Sequence, residues 1–162
     1  MTVRGVLVVL ACGLLAAVSC SGRASPLYTT DRTIADSDLP AVNRDDLLNE
    51  ISLYHGVPYR DGGTRITGVD CSGLVQAVYA SLGVDLPRTA LEQSVEGRPI
   101  SRRSVRTGDL VFFGRPPSHV GIAISGSEIV HASASRGVVI DSIDDLDESM
   151  HASAYRRVVR LK

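Results

Sequence analysis

Asp70-Cys71-Ser72-Gly73-Leu74-Val75-Gln76-Ala77-Val78-Tyr79 is the stretch whose reading decides the fold. Leu74, Val75, Val78, Tyr79 and then Leu82 recur at helical spacing, so a helix starts at Asp70 or Cys71 and Gly83 ends it. A cysteine at a helix start is a chemical placement. The helix N-terminus carries partial positive charge, which is expected to lower the thiol pKa. The first-turn N–H groups have no partner inside the helix and can donate to an oxyanion forming beside the sulfur. By position alone Cys71 is equally well a small buried hydrophobe; the rest of the chain decides.

Upstream, Asn43 caps a helix with Asp45 and Asp46 in its first turn, Leu47, Leu48, Ile51 and Tyr54 as its apolar face, and Gly56 as its stop. A loop holding Gly62-Gly63 joins it to the Cys71 helix. Downstream, Thr89-Ala90-Leu91-Glu92 is a capping box that opens a short third helix. The second half reads as strands: Leu110–Phe113, His119–Ile124, Glu128–Ala132, Val138–Asp141 and Arg157–Leu161. Helices first and a strand meander afterwards imply an α+β domain, with N-terminal helices packed on a small antiparallel sheet. The acidic run Asp144, Asp145, Asp147 and Glu148 reads as a solvated loop.

His119 opens one strand, His131 lies in the next, and a turn around Ser125-Gly126-Ser127 joins them. A hairpin with a loop of three or five residues points both side chains from the same face, as opposed or diagonal neighbours. One imidazole can then take a cysteine proton while the other orients it. No third close ligand accompanies the pair, so a metal is not expected. His55 and His151 read as a helix-end residue and an exposed polar residue.

Composition bounds the function. With 162 residues, the chain has room for one domain and a tail. Apolar residues make up 44% and charged residues 22%, a globular balance. A net charge of -1 gives no footprint for nucleic acid. Met1–Arg4 followed by the apolar run Gly5–Val18 reads as a secretory signal, too short to span a membrane. Ala17-Val18-Ser19-Cys20 resembles the lipobox of bacterial lipoproteins, with Ala17 where Leu is usual, so residues 1–19 are read as the signal peptide and Cys20 as the lipidated residue. Ordinary secretion with Cys20 as a plain thiol is the alternative. In the lipoproteins this resembles, an Asp after the cysteine retains the protein in the inner membrane, so the resemblance implies for Ser21 an outer-membrane location facing the periplasm, if the organism has an outer membrane. Residues 20–40 read as the anchor and a flexible tether, and 41–162 as the domain. Once Cys12 leaves with the signal and Cys20 carries lipid, Cys71 is the lone thiol of an exported chain, the pattern of a candidate nucleophile.

The motifs are recognisable in order: Val57-Pro58-Tyr59-Arg60, Gly62-Gly63-Thr64, Asp70-Cys71-Ser72-Gly73-Leu74-Val75-Gln76, Leu86-Pro87-Arg88-Thr89, Arg106-Thr107-Gly108-Asp109-Leu110-Val111, His119-Val120-Gly121-Ile122 and Val130-His131-Ala132-Ser133. From about Leu47 to Leu161 this resembles the NlpC family of bacterial cell-wall cysteine peptidases, with Leu86 to Ser133 most like its lipoprotein murein endopeptidases. The resemblance implies a papain-like fold in which Cys71 is the nucleophile, His119 the base, His131 its orienter and Tyr59 a helper of the oxyanion site. It places Asp70, Ser72, Arg88 and Thr89 near the substrate cleft, and it implies no cofactor. Asp61 stands where many members carry Trp, which alters the cleft wall. The expected activity is hydrolysis of amide bonds in peptidoglycan stem peptides or their cross-links through a thioester. The rivals are a non-catalytic wall-binding lipoprotein on the same fold, and acyl transfer or amide hydrolysis on another substrate. Regulatory or adaptor proteins leave no mark in the sequence.

Overall fold

The computed structural model describes residues 34–162. The signal segment 1–19, Cys20 and the tether as far as residue 33 lie outside the described residues. In chain order the elements are β1 (Ala41–Val42), α1 (Arg44–Leu53), β2 (Thr64–Arg65), β3 (Gly68–Val69), α2 (Cys71–Ser81), α3 (Ala90–Gln93), β4 (Arg98–Pro99), β5 (Asp109–Phe113), β6 (His119–Ala123), β7 (Glu128–Ser133), β8 (Gly137–Ser142), α4 (Ile143–Met150), β9 (Ala152–Arg157) and β10 (Arg160–Leu161). The expected α+β class holds. A six-stranded sheet runs in the order β4-β9-β5-β6-β7-β8, every neighbouring pair antiparallel.

The alternation of strand side chains sorts the core onto two faces. All of Asp109–Phe113 is buried. Leu110 and Phe112 join Val120, Ile122 and Val130 against Leu74, Val75, Val78 and Tyr79 of α2. Val111 and Phe113 face the other way, with Ala123 and Ile129, onto Ile143 and Leu146 of α4. Each such side chain contributes about 1.5–3 kcal/mol by leaving water, so α2 is fixed firmly over β6 and β7. The start of α2 is thereby set against the start of β6, with the Cys71 sulfur beside the Ser118 carbonyl.

Three expectations change. The acidic run is α4, a helix and not a loop. Asp144 and Asp145 occupy its first turn behind the Ser142 cap, where carboxylates suit the dipole. Ile143 and Leu146, three apart, bury against the sheet. The acidic residues masked that short apolar period. The strand expected over Arg157–Leu161 is two strands. β9 ends at Arg157 and fills the place between β4 and β5, and β10 pairs in parallel with β1. Ala-Ser-Ala-Tyr-Arg-Arg has little strand propensity of its own; pairing with β5 and the buried Arg157–Asp109 ion pair hold it, Nε to Oδ1 at 2.8 Å. Finally, the expected tether boundary at residue 40 is too late. Residues 36–38 form a 3-10 turn, Leu39 is buried, and Asp36 accepts from Arg98 at 2.6 Å and lies 3.6 Å from Arg157. The domain is therefore already engaged at Asp36.

Candidate active site

The Cys71 side of the site is built by local sequence. Asp70 is the N-cap of α2, its Oδ1 accepting from the Gly73 N–H at 2.7 Å. Its Oδ2 accepts from the Gly62 N–H at 2.9 Å, tying the Gly62-Gly63 loop to the helix start. The Gly63 carbonyl takes the Asp70 N–H at 3.1 Å and lies directly against Gly73, where a Cβ would stand 2.0 Å from that oxygen. Gly73 is thus required by close backbone approach. Cys71 follows the cap with its sulfur 3.9 Å from the Ser118 carbonyl.

The thiol pKa runs opposite to the sequence expectation. Burial pushes the Cys71 thiol up, and the Asp70 carboxylate adds to that push. The N–H groups of Val120, Ser72 and Cys71 pull the other way without overcoming it. A helix start alone would favour the thiolate; enclosure by β6 outweighs it.

The sheet supplies the imidazoles. β6 and β7 pair as Gly121↔His131, Ile122↔Val130 and Ala123↔Ile129. The Ile124 N–H donates to the Glu128 carbonyl at 3.0 Å, closing the turn around Ser125–Ser127 as expected. His119, on the same face as Gly121, is therefore the diagonal neighbour of His131. Nε2 of His119 lies 2.8 Å from Nδ1 of His131, and the rings stand nearly perpendicular at 84°. Burial, and then His131, push the His119 pKa down to about 4. The residues flanking His119 face the sulfur through their backbones, Ser118 by its carbonyl and Val120 by its N–H.

The relay continues past the residues legible in the sequence. β7 and β8 pair as His131↔Val139, which sets Asp141 on the same face as His131. Nε2 of His131 meets Asp141 Oδ2 at 2.9 Å. Arg136, in the turn between β7 and β8, donates to both carboxylate oxygens, to Oδ1 at 3.0 Å. Those guanidinium bonds hold the Asp141 pKa down to about 2. Asp141 reads in sequence as a strand end. The available signal was parity, since a tight turn from Ser133 to Gly137 puts 131, 139 and 141 on one face.

An open cleft of about 510 Å³ lies over Cys71, walled by Tyr59 and Asp61, by Arg88–Leu91 and by Pro117–Ser118. The residues expected at the substrate cleft all line it, with different freedom. The Asp70 carboxylate takes Gly73, Gly62 and both terminal nitrogens of Arg88. Ser72 Oγ accepts from Arg88 at 2.9 Å. Asp70 and Ser72 are thus scaffolding that aims Arg88, whose side chain is 35% exposed. Thr89 spends its hydroxyl on Glu92 at 2.7 Å in the capping box of α3. Gln93 of α3 donates to the carbonyls of Ser72 and Pro87, fixing the Arg88 turn to the start of α2. Tyr59 bridges to Val69 and sits beside Cys71; burial, with Cys71, Asp61 and Asp70 around it, pushes its phenol pKa up, so it is held as a donor.

The model of the NlpC/P60 family matches residues 56–160. The chain belongs to that family. This NlpC/P60 domain is 34% identical over 173 aligned positions to the murein DD-endopeptidase MepS/murein LD-carboxypeptidase of Escherichia coli K12, covering 96% of this chain and 92% of that protein. It is 43% identical to a probable endopeptidase NlpC homolog of Haemophilus influenzae, over 68% of this chain and 60% of that one. Among solved structures it matches an NlpC/P60 family protein from Bacillus cereus with a TM-score of 0.69 and 30% identity, over 77% of this chain and 43% of that one. It matches the NlpC/P60 domain of the peptidoglycan hydrolase SagA with a TM-score of 0.62 and 30% identity, over 71% of this chain and 98% of that domain. The α+β fold is accordingly the papain-like fold of these domains.

Proposed function

We propose that this NlpC/P60 domain hydrolyses amide bonds of peptidoglycan stem peptides or their cross-links as a thiol endopeptidase. The observation that carries the reading is the placement of Cys71. It stands at a capped helix start on the floor of an open cleft, and the strand packed over its sulfur carries a hydrogen-bonded imidazole pair. The names of the relatives supply the substrate class.

With a raised thiol and a lowered imidazole, the resting pair is neutral. As the sulfur attacks the amide carbon, its proton passes to His119. Nε2 of His119 is engaged by His131, so Nδ1 is the nitrogen left to accept it. The carbonyl oxygen becomes an oxyanion and takes the Cys71 N–H and the Tyr59 hydroxyl. His119 returns the proton to the leaving amine, the C–N bond breaks, and a thioester remains. Water, deprotonated by His119, releases the acid and restores the thiol. Arg88, its charge matched by Asp70, offers the cleft its remaining N–H groups as donors to a polar group of the stem peptide.

Purified domain should convert muropeptides, with masses that distinguish cleavage at the D-Ala–diaminopimelate cross-link from cleavage at the γ-D-Glu–diaminopimelate bond. Cys71→Ser should leave the substrate intact, and unchanged turnover in that variant would end the thiol reading. We place the full chain on the outer membrane, facing the periplasm, through lipid on Cys20, with residues 21–33 as spacer. The support is the Ala17–Cys20 pattern and Ser21. Cys20→Ala should move the protein from the membrane to the soluble fraction; membrane retention would refute the anchor.

A further inference from the structure

We propose that Asp141, held by Arg136, is a positioning residue that sets the protonation pattern of the His131–His119 pair and so leaves His119 Nδ1 without a hydrogen, free to accept a proton. This rests on the reading of His119 as the base for Cys71.

The argument is a chain of forced donors. An ionised carboxylate only accepts hydrogen bonds, so the contact at 2.9 Å between Asp141 Oδ2 and His131 Nε2 places the proton of a neutral His131 on Nε2. Its Nδ1 is then a lone pair. The contact at 2.8 Å from that Nδ1 to His119 Nε2 requires His119 to be the donor. A neutral His119 with its hydrogen on Nε2 has an unprotonated Nδ1, which is the state a base needs. Arg136 makes the first link dependable: two guanidinium contacts keep Asp141 ionised even though its side chain is only 19% exposed. Without the carboxylate nothing in the relay fixes the order. The reversed pattern, with His131 donating from Nδ1, puts the His119 hydrogen on Nδ1 and disables it. The same alignment favours the charged intermediate. Once His119 holds two protons, its Nε2–H still donates to His131, which donates to an anion.

The titratable groups around the relay are Cys71 from α2, His119 from β6, Asp141 from β8 and Arg136 from the turn before it. Asp141 bonds directly to His131 and to Arg136, which is why the role proposed for it runs through His131.

The test is nitrogen-15 NMR of the histidine-labelled domain at neutral pH, with kcat and KM on one muropeptide, for the natural chain, Asp141→Ala and Cys71→Ser. The natural chain should show both His131 and His119 protonated on Nε2. In Asp141→Ala the two rings should lose that single pattern. Its kcat should fall about 10²-fold, within the range of a general-base contribution, while KM changes little. Finding His131 protonated on Nδ1 in the natural chain overturns the proposal, whether or not Asp141→Ala folds. So does an unchanged kcat in Asp141→Ala, or a reduced kcat with both rings still in their original tautomers, since that would make Asp141 merely structural. An active Cys71→Ser would instead defeat the thiol mechanism. The tautomer result would then stand as a fact about the relay without a catalytic meaning.

Discussion

The helix that carries Cys71 and the sheet that carries His119, His131 and Asp141 build the two halves of one site by opposite means. On the helix, the cap, the sulfur and the glycine that admits the Gly63 carbonyl are all within Asp70–Gly73. Each is fixed by a contact a few residues away or by an adjoining loop. On the sheet, no two of the three groups share a strand, and their meeting depends on the pairings Gly121↔His131 and His131↔Val139. A one-residue slip in either pairing would turn a ring or the carboxylate to the opposite face. The helix half is thus sensitive to single side chains, and the sheet half to register.

The comparison can be broken first where the effect is largest. Cys71→Ser should lower kcat/KM by about 10³-fold or more with an unchanged fold, because a hydroxyl beside a neutral imidazole is a far poorer nucleophile than a thiol. Circular dichroism and muropeptide turnover check it. On the sheet side, His119→Ala should cost about 10²–10⁴-fold, the usual worth of a general acid–base group. His131→Asn should cost about tenfold, because an amide oxygen can still accept from the His119 N–H, although the tie to Asp141 is lost. If both variants are equally dead while folded, the sheet half does not divide into a base and its orienter.

The pH dependence sharpens the same contrast. His119 is held to about 4 in the folded protein against an ordinary value of 6.5. It stays a neutral base until pH nears 4, so the acid limb of kcat/KM should lie close to 4 and not 6.5, as an apparent constant of the Cys71–His119 pair. The sign for stability follows. Between pH 6.5 and 4 the unfolded chain takes up the proton that the fold refuses, so this contribution is complete above 6.5 and lost as pH falls toward 4. An acid limb near 6.5 would show that the ring is open to water.

Smaller effects separate local packing from register. Gly73→Ala should cost about 1–3 kcal/mol by overpacking against the Gly63 carbonyl, read as a lowered unfolding midpoint in urea. Ile140→Thr, on the exposed side of β8 beside Asp141, should shift stability by no more than about 0.5 kcal/mol and leave kcat alone. A large loss of kcat there would show that β8 tolerates no change of side chain at all.

Much is legible in the residues themselves. Asn43, Asp70 and Thr89 announced three helix starts because a cap is a local hydrogen bond between residues two or three apart. The His119–His131 juxtaposition followed from a short turn and strand alternation, which act over about a dozen residues. The placement of Cys71 at a helix start followed from the helical spacing of the apolar residues behind it. What the residues alone left open was decided by packing. α4 was hidden because its acidic side chains outnumber the Ile143 and Leu146 that seat it. β9 forms because a vacant edge of β5 accepts it, not because its residues favour extended chain. Enclosure of Cys71 beneath β6 reversed the expected direction of its pKa, since desolvation is a property of the surroundings and not of the helix start. The sequence by itself determined the helix starts, the strand alternation and the residue types that can do thiol chemistry, because these act over a few residues. Only the tertiary structure decided that Asp141 stands behind His131 and that Asp70 and Ser72 serve Arg88, because the first needs the exact β7–β8 register beyond the shared parity of 131 and 141, and the second joins segments that no cap or alternation connects.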